Sequence, residues 1–247
     1  MPTLIAFTAT PDDAPGVNAV AEALARSLHL DIDRRQLPSR PADNSAAVLR
    51  AVDDPQVHMA ALPYSAGHAA HLVTDVIQRC PTPVVTIPVG RHAHPSAALD
   101  RILVPLDGSI ESAETVTGLV RMFHASGADI VVLHVFDQTT VPKFWDQPVH
   151  ARQSWVEEFL RRYCNHPDVR MELRSGSAGE HILDVAASEH ADLIALGWAQ
   201  NLSAGRARTV RATIAETTIP VLLLPVPSGA TDAASWLSAR VNSSVGS

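Results

Sequence analysis

Few side chains along this chain are placed to do chemistry. Asp107-Gly108-Ser109 follows the solid apolar run Ile102 to Leu106. A carboxylate there can address the hydroxyls of a ligand, or it can cap the helix that follows, since Asp-Gly-Ser is ordinary punctuation between a strand and a helix. One geometry can serve both roles. Arg206, Arg208 and Arg211 cluster where a later helix should begin. Cations there oppose the helix dipole by about 0.3–1 kcal/mol each, a cost that a bound anion removes; the alternative is a solvated cationic face. Twelve histidines raise the question of a metal. His92-Ala93-His94 and the pair His68 and His71 both lack a third ligand at a recognised spacing, so no metal centre is expected. His134, inside an apolar run, reads as a hydrogen-bonded core imidazole, and Ser177 with Glu180 as a capping box. Ser65, in Pro63-Tyr64-Ser65-Ala66-Gly67, lacks the first glycine of a nucleophile elbow. No Walker lysine motif and no G-x-G-x-x-G occurs. The inventory favours binding over turnover.

The elements that must position these residues come in two copies. Val73 to Val89 aligns without gaps on Val210 to Val226 at an offset of 137, and Leu4-Ile5-Ala6 aligns on Ile102-Leu103-Val104 at an offset of 98. In the second copy, the apolar runs Ile102–Leu106, Ile130–Val135, Leu193–Leu196 and Val221–Leu224 are strands buried on both faces, the mark of a parallel sheet. Val169–Arg174 alternates apolar and charged residues and suits an edge. Helices are expected at 110–125, 151–164, 178–190 and about 208–217, each with an apolar stripe at i, i+3, i+4 spacing. The loop after the second of these strands carries Phe144 and Trp145, read as a lid or packing element.

The first copy passes from a strand at 4–9 and a helix at 15–28 into the polar strand Leu30–Leu37, then to a helix at 44–52. One helix and one strand are missing. If the omitted strand is the edge, the second strand becomes the new edge, which accounts for its polarity. The expected units are residues 1–90 and 99–227, joined across Gly90–Arg101 and followed by a Ser-, Ala- and Gly-rich tail at 228–247.

Composition limits the partners. With 19 Lys and Arg against 26 Asp and Glu, the net charge is −7, the wrong sign for a nucleic-acid binder working by phosphate neutralisation. Hydrophobic residues at 46% and charged residues at 18% exclude disorder throughout. No apolar run approaches the roughly 20 residues of a membrane span. Cys80 and Cys164 are too few for a disulfide scaffold, and the first residues lack the basic region of a signal peptide, so the cytoplasm is expected.

The run Ile102-Leu103-Val104-Pro105-Leu106-Asp107-Gly108-Ser109 resembles the opening strand and turn of the universal stress protein family. The resemblance extends through Leu133-His134-Val135, Ser177-Ala178-Gly179-Glu180, Asp192 to Gly197 and Ile219 to Leu224. It covers about 125 residues well and the first 90 more faintly. It implies an α/β fold of two tandem doubly wound parallel-sheet domains with strand order 3-2-1-4-5, the first copy truncated by one helix and one strand. It also implies, in many members, an ATP or AMP site at the carboxyl ends of strands 1 and 4, the topological switch point.

Carried onto this chain, the resemblance gives Pro105, Asp107, Val135, Leu196, Gly197, Gly205, Arg206, Arg208 and Thr209 as nucleotide-binding candidates. Asp107 would contact the nucleoside, and Val135 and Leu196 would flank the ring and ribose. The family's phosphate motif, G-x2-G-x9-G-[ST], is broken here. Gly197 matches its first glycine, Gln200 stands at the second, and Ala207 and Arg208 fall on the last two positions, with Gly205-Arg206 as a slipped alternative. In the first copy Ala9 replaces the aspartate and Pro63 the first glycine. The resemblance implies a stress-response protein with one adenine nucleotide site at most, in the second copy. The alternatives are a member with slow ATP hydrolysis and an assembly module with a vestigial cleft. It also implies pairing of the two copies, or a homodimer, through the last strands Val84–Val89 and Val221–Val226.

Overall fold

The computed structural model describes residues 1–65, 68–90, 98–136, 149–163, 169–200 and 206–226. Its first half runs β1 (Thr3–Thr8), α1 (Ala14–Leu28), β2 (Asp31–Gln36), α2 (Pro41–Val52), β3 (Val57–Tyr64), α3 (His68–Arg79) and β4 (Val84–Pro88). The second half runs β5 (Arg101–Pro105), α4 (Ile110–Ala125), β6 (Asp129–Phe136), α5 (Val149–Tyr163), β7 (Arg170–Ser175), α6 (Ala178–Ser188), β8 (Leu193–Trp198), α7 (Arg206–Glu216) and β9 (Val221–Pro225). The first half is therefore one helix and one strand shorter. Gly205, Phe144, Trp145, His92, His94 and the tail from 228 lie outside the described residues, as do the side chains of His68 and Arg206.

All nine strands form one sheet, in the order β2-β1-β3-β4-β9-β8-β5-β6-β7. Neighbours within each half are parallel. The halves meet where β4 pairs antiparallel with β9, in the register Val84↔Leu223, Val85↔Leu222 and Thr86↔Val221. This one antiparallel step turns the second half over, so the carboxyl ends of the two sets of strands face opposite ends of the sheet. The outermost strands are β2 and β7, whose exposed and half-buried residues are mostly charged, as edges open to solvent require.

Period-2 alternation divides the core between the two faces of the sheet. Leu4, Ala6, Ile102 and Val104 pack with Val17, Leu24, Leu119 and Phe123, so α1, α4 and α5 cover one face. Ile5, Phe7, Leu103 and Ile194 pack with Val48, Val76, Ile182 and Ile214, so α2, α3, α6 and α7 cover the other. Burial of interior strands on both sides is what solid apolar runs require.

A polar clasp holds the amino ends of the second-half strands. Asp129 accepts from Arg101 at 3.0 Å and from Arg170 at 2.9 Å, and Arg170 also donates to Glu189. The Asp192 carboxylate accepts from the backbone amides of Asp100 and Arg101. What burial there is works against the charge on Asp129, but the hydrogen bonds from Arg170 and Arg101 win and hold its carboxyl below the usual carboxylate range.

Candidate functional site

At the carboxyl end of β5 the chain turns through Asp107-Gly108-Ser109 into α4. Ser109, not Asp107, is the N-cap: its side chain accepts from the Ser112 amide at 3.3 Å. Asp107 Oδ1 accepts from both the amide and the hydroxyl of Ser109, at 3.0 and 2.7 Å. The reading of Asp107 as helix cap is thus corrected: it braces the cap one step removed, and its side chain stands exposed at the strand end. Gly108 makes this turn at φ +79°, a left-handed conformation that favours glycine, with His134 Cε1 at ordinary contact distance from where a Cβ would stand.

His134 supports the turn from below. Its ring is buried, and Nδ1 hydrogen-bonds the Leu106 carbonyl at 2.8 Å. Phe136, Trp155 and Phe159 surround it, with ring centroids 4.6–5.5 Å away. Burial lowers the imidazole pKa, opposed by the Leu106 hydrogen bond and the Asp107 charge. A neutral imidazole donating to Leu106 meets both demands.

Across the switch point, β8 ends at Gly197-Trp198. A Cβ on Gly197 would meet Val226 Cγ2 at 3.3 Å, close enough that Val226 would have to give by a few tenths of an ångström, and the Ser112 side chain of α4 at an ordinary 3.6 Å. The result is a cleft of about 200 Å³ lined by Pro105, Asp107, Val135, Leu196, Gly197 and Thr209, with Ser112 and Ile182 completing its walls. Six of the nine sequence candidates therefore share one cleft. Arg208 does not line it and is exposed on the first turn of α7. Ser112 was not signalled as a site residue: it reads as one more helical residue, and its side chain faces the cleft because α4 lies under the end of β8.

Gln200 takes a role that sequence reasoning missed. It stands at the position of the motif's second glycine and keeps a left-handed backbone, φ +54°, while its side chain donates to the Cys80 carbonyl of the first half and, at 3.4 Å, to that of Ile77. Trp198 Nε1 donates to the same Ile77 carbonyl at 3.0 Å. The helical donor that this carbonyl would otherwise use is the amide of residue 81, which is Pro81 and has none. The end of the second-half strand thus satisfies a helix end that the first half leaves open. The neighbouring Cys80 thiol is pushed up to about 11, chiefly by burial, and is no nucleophile at neutral pH.

The second capping expectation is also corrected. Ser177 occupies the N-cap position of α6, but its side chain makes no cap hydrogen bond there. Among the described residues no group of three His, Cys, Asp or Glu side chains could hold a metal, and no helix is long and apolar enough to cross a membrane. A larger cavity, about 940 Å³, sits at the carboxyl ends of the first-half strands. Ala9 and Pro63 line it where the second half has Asp107 and Gly197.

No curated protein matches the chain. Among solved structures, the fold is similar to a universal stress protein from Archaeoglobus fulgidus, at 14% identity and a TM-score of 0.59, covering 92% of this chain and 97% of that one. It is likewise similar to a protein of unknown function from Pseudomonas aeruginosa, at 13% identity and a TM-score of 0.56, covering 98% of this chain and 86% of that one. A universal stress protein from A. fulgidus in complex with dAMP aligns at 18% identity and a TM-score of 0.38, over 50% of this chain and 96% of that one. The model of the universal stress protein family matches residues 98–225, the span that carries the strand-end Asp107, the switch-point cleft and the seam strand β9. With more than half of its length so matched, the chain belongs to the universal stress protein family.

Proposed function

We propose that this protein acts by binding a small phosphorylated ligand, an adenine nucleotide, in the second-half cleft, and that it carries out no turnover there. The observation that supports this reading is the convergence of Pro105, Asp107, Val135, Leu196, Gly197 and Thr209 on one cleft at the switch point of the sheet. Asp107, exposed at the strand end, addresses the ribose or base, and Val135 and Leu196 pack against the ring. A cleft of this size takes a base or a ribose and leaves the phosphates at its mouth, beside the first turn of α7. That turn has no acidic residue, and Arg206 and Arg208 would supply by side-chain charge what the missing glycine amides do not. Residues 1–90 and 99–227 then act as two copies of one domain paired about β4 and β9, with 228–247 as a tail. The first copy serves as the structural partner.

Guanidinium contacts are long-ranged and salt-sensitive, whereas a nest of backbone amides is short-ranged and shape-selective. Calorimetry of AMP, ADP, ATP and inorganic phosphate at two salt concentrations tests the proposal, with wild type and the double variant Arg206→Ala, Arg208→Ala. One site per chain is expected. Its affinity should fall as ionic strength passes about 0.15 M, where the screening length is about 8 Å, and fall again in the double variant. Two equivalent nucleotide sites, or binding indifferent to both salt and the arginines, would overturn it. Release of phosphate from ATP would favour slow hydrolysis instead, and absence of binding at low salt an assembly role.

A further inference from the structure

The first-half cavity is the larger of the two, about 940 Å³ against about 200 Å³ for the second-half cleft. It opens at the carboxyl ends of β1, β2 and β3 and extends along α3 as far as Gln78. Its buried apolar lining comes from Leu37, Pro63 and Leu72. Around these stand the hydroxyls of Thr10, Ser39, Ser45 and Ser65 and the amide of Asn44. Hydroxyls and amides both donate and accept, the pairing that vicinal hydroxyl groups of a ligand need, and an apolar floor suits the C–H face of such a ligand.

The acidic groups on the wall are Asp13 and Asp75, and the His71 imidazole lines it as well. Asp13 stands at the N-cap of α1 and accepts from the Thr10 amide at 3.1 Å. Asp75, on α3, pairs with the exposed Arg79 at 3.3 Å. Among the described lining residues there is no Lys or Arg. The amino end of α1 carries Asp13, and that of α2 carries both signs, Arg40 at the N-cap and Asp43 in the first turn, so only α1 has its dipole answered by negative charge alone. An incoming phosphate would meet like charge where the first turn of α7 offers Arg208.

We infer that this cavity is a binding site for an uncharged, polyhydroxylated small molecule, a sugar or polyol, and that it discriminates against phosphate esters. The site is separate from the nucleotide cleft and does not depend on it: the two open at opposite ends of the sheet and share no lining residue.

Titrating the intact chain with D-ribose and with ribose 5-phosphate, followed by hydrogen exchange, tests the inference. Ribose at millimolar concentration should protect residues 37–45 and 63–78. The ester should bind more weakly, by roughly tenfold at low salt, the size expected of a dianion facing two carboxylates across partly screened water. The double variant Asp13→Asn, Asp75→Asn should narrow that gap, because it removes the charge and keeps the shape. Ser45→Trp, which fills the cavity, should abolish protection. The inference is overturned if the ester binds as tightly as ribose, or if protection appears only around residues 105–112. It is also overturned if ribose, glucose and inositol give no protection at tens of millimolar. Nucleotide binding in the second half neither supports nor weakens any of these outcomes.

Discussion

Replacing Trp198 by Phe tests whether the two halves are latched together through the end of α3. Trp198 is 2% exposed, and its indole N–H reaches a carbonyl 121 residues away that has no helical donor of its own. Phenylalanine keeps an aromatic ring there and removes the donor, leaving Ile77 O with the 3.4 Å contact from Gln200. Stripping the partner from a buried carbonyl costs about 1–3 kcal/mol, and a benzene ring in an indole's place leaves a void worth about 1 kcal/mol more. The expected loss is therefore about 2–4 kcal/mol, which for a chain of this size lowers Tm by roughly 5–15 °C. Guanidinium unfolding followed by far-UV circular dichroism measures it without using the fluorophore that has been changed. Gln200→Ala shares the same helix end, so the two substitutions should be non-additive by about 0.5 kcal/mol or more. A loss under about 0.5 kcal/mol, or strict additivity, would refute the idea that the latch carries load.

Ser109→Ala removes the cap of α4 and the hydroxyl that donates to Asp107; thermal unfolding should show a loss of about 1 kcal/mol, largely restored in Ser109→Thr, which keeps a hydroxyl able both to cap and to donate. For His134 the folded pKa lies below the unfolded value of about 6.5, so as pH falls past that value the unfolded chain takes up a proton that the buried ring refuses, and stability declines. The stability difference between wild type and His134→Gln, measured in urea at two pH values on either side, should therefore shrink toward acid. Asp129 has the opposite dependence: its folded pKa is depressed, so its contribution is present above about pH 4 and fades as pH drops through the folded value. Because its side chain is 38% exposed, Asp129→Asn should cost less than about 1 kcal/mol at neutral pH, and the cost should disappear in strong acid.

Local signals decided how much could be read from the sequence. The bounds expected for α4, 110–125, coincide with the observed helix, because Ser109 caps its start and the chain leaves it through Gly127 at φ +92°. The helix expected at 44–52 begins earlier, at Pro41, because a proline in the first turn is preorganised for helix. The strand-end aspartate was legible because residue type and position coincide. The functions of Gln200 and Trp198 were not, because they are set by a proline in the other half that deprives a carbonyl of its donor. Nothing within a local window connects Pro81 to Trp198. Ser177 shows the converse: the pattern of a capping box was present, and the hydrogen bond was not.

The pairing of β4 with β9 also bears on dilution. Separate sheets of four and five strands would each expose an apolar end strand, and two such chains could join only above a threshold set by their abundance. Here both partners of the seam belong to one polypeptide, so the encounter is unimolecular and its effective concentration is fixed by the connecting chain, not by expression level. A nine-strand sheet built this way does not come apart on dilution, and its two open margins are the charged strands β2 and β7.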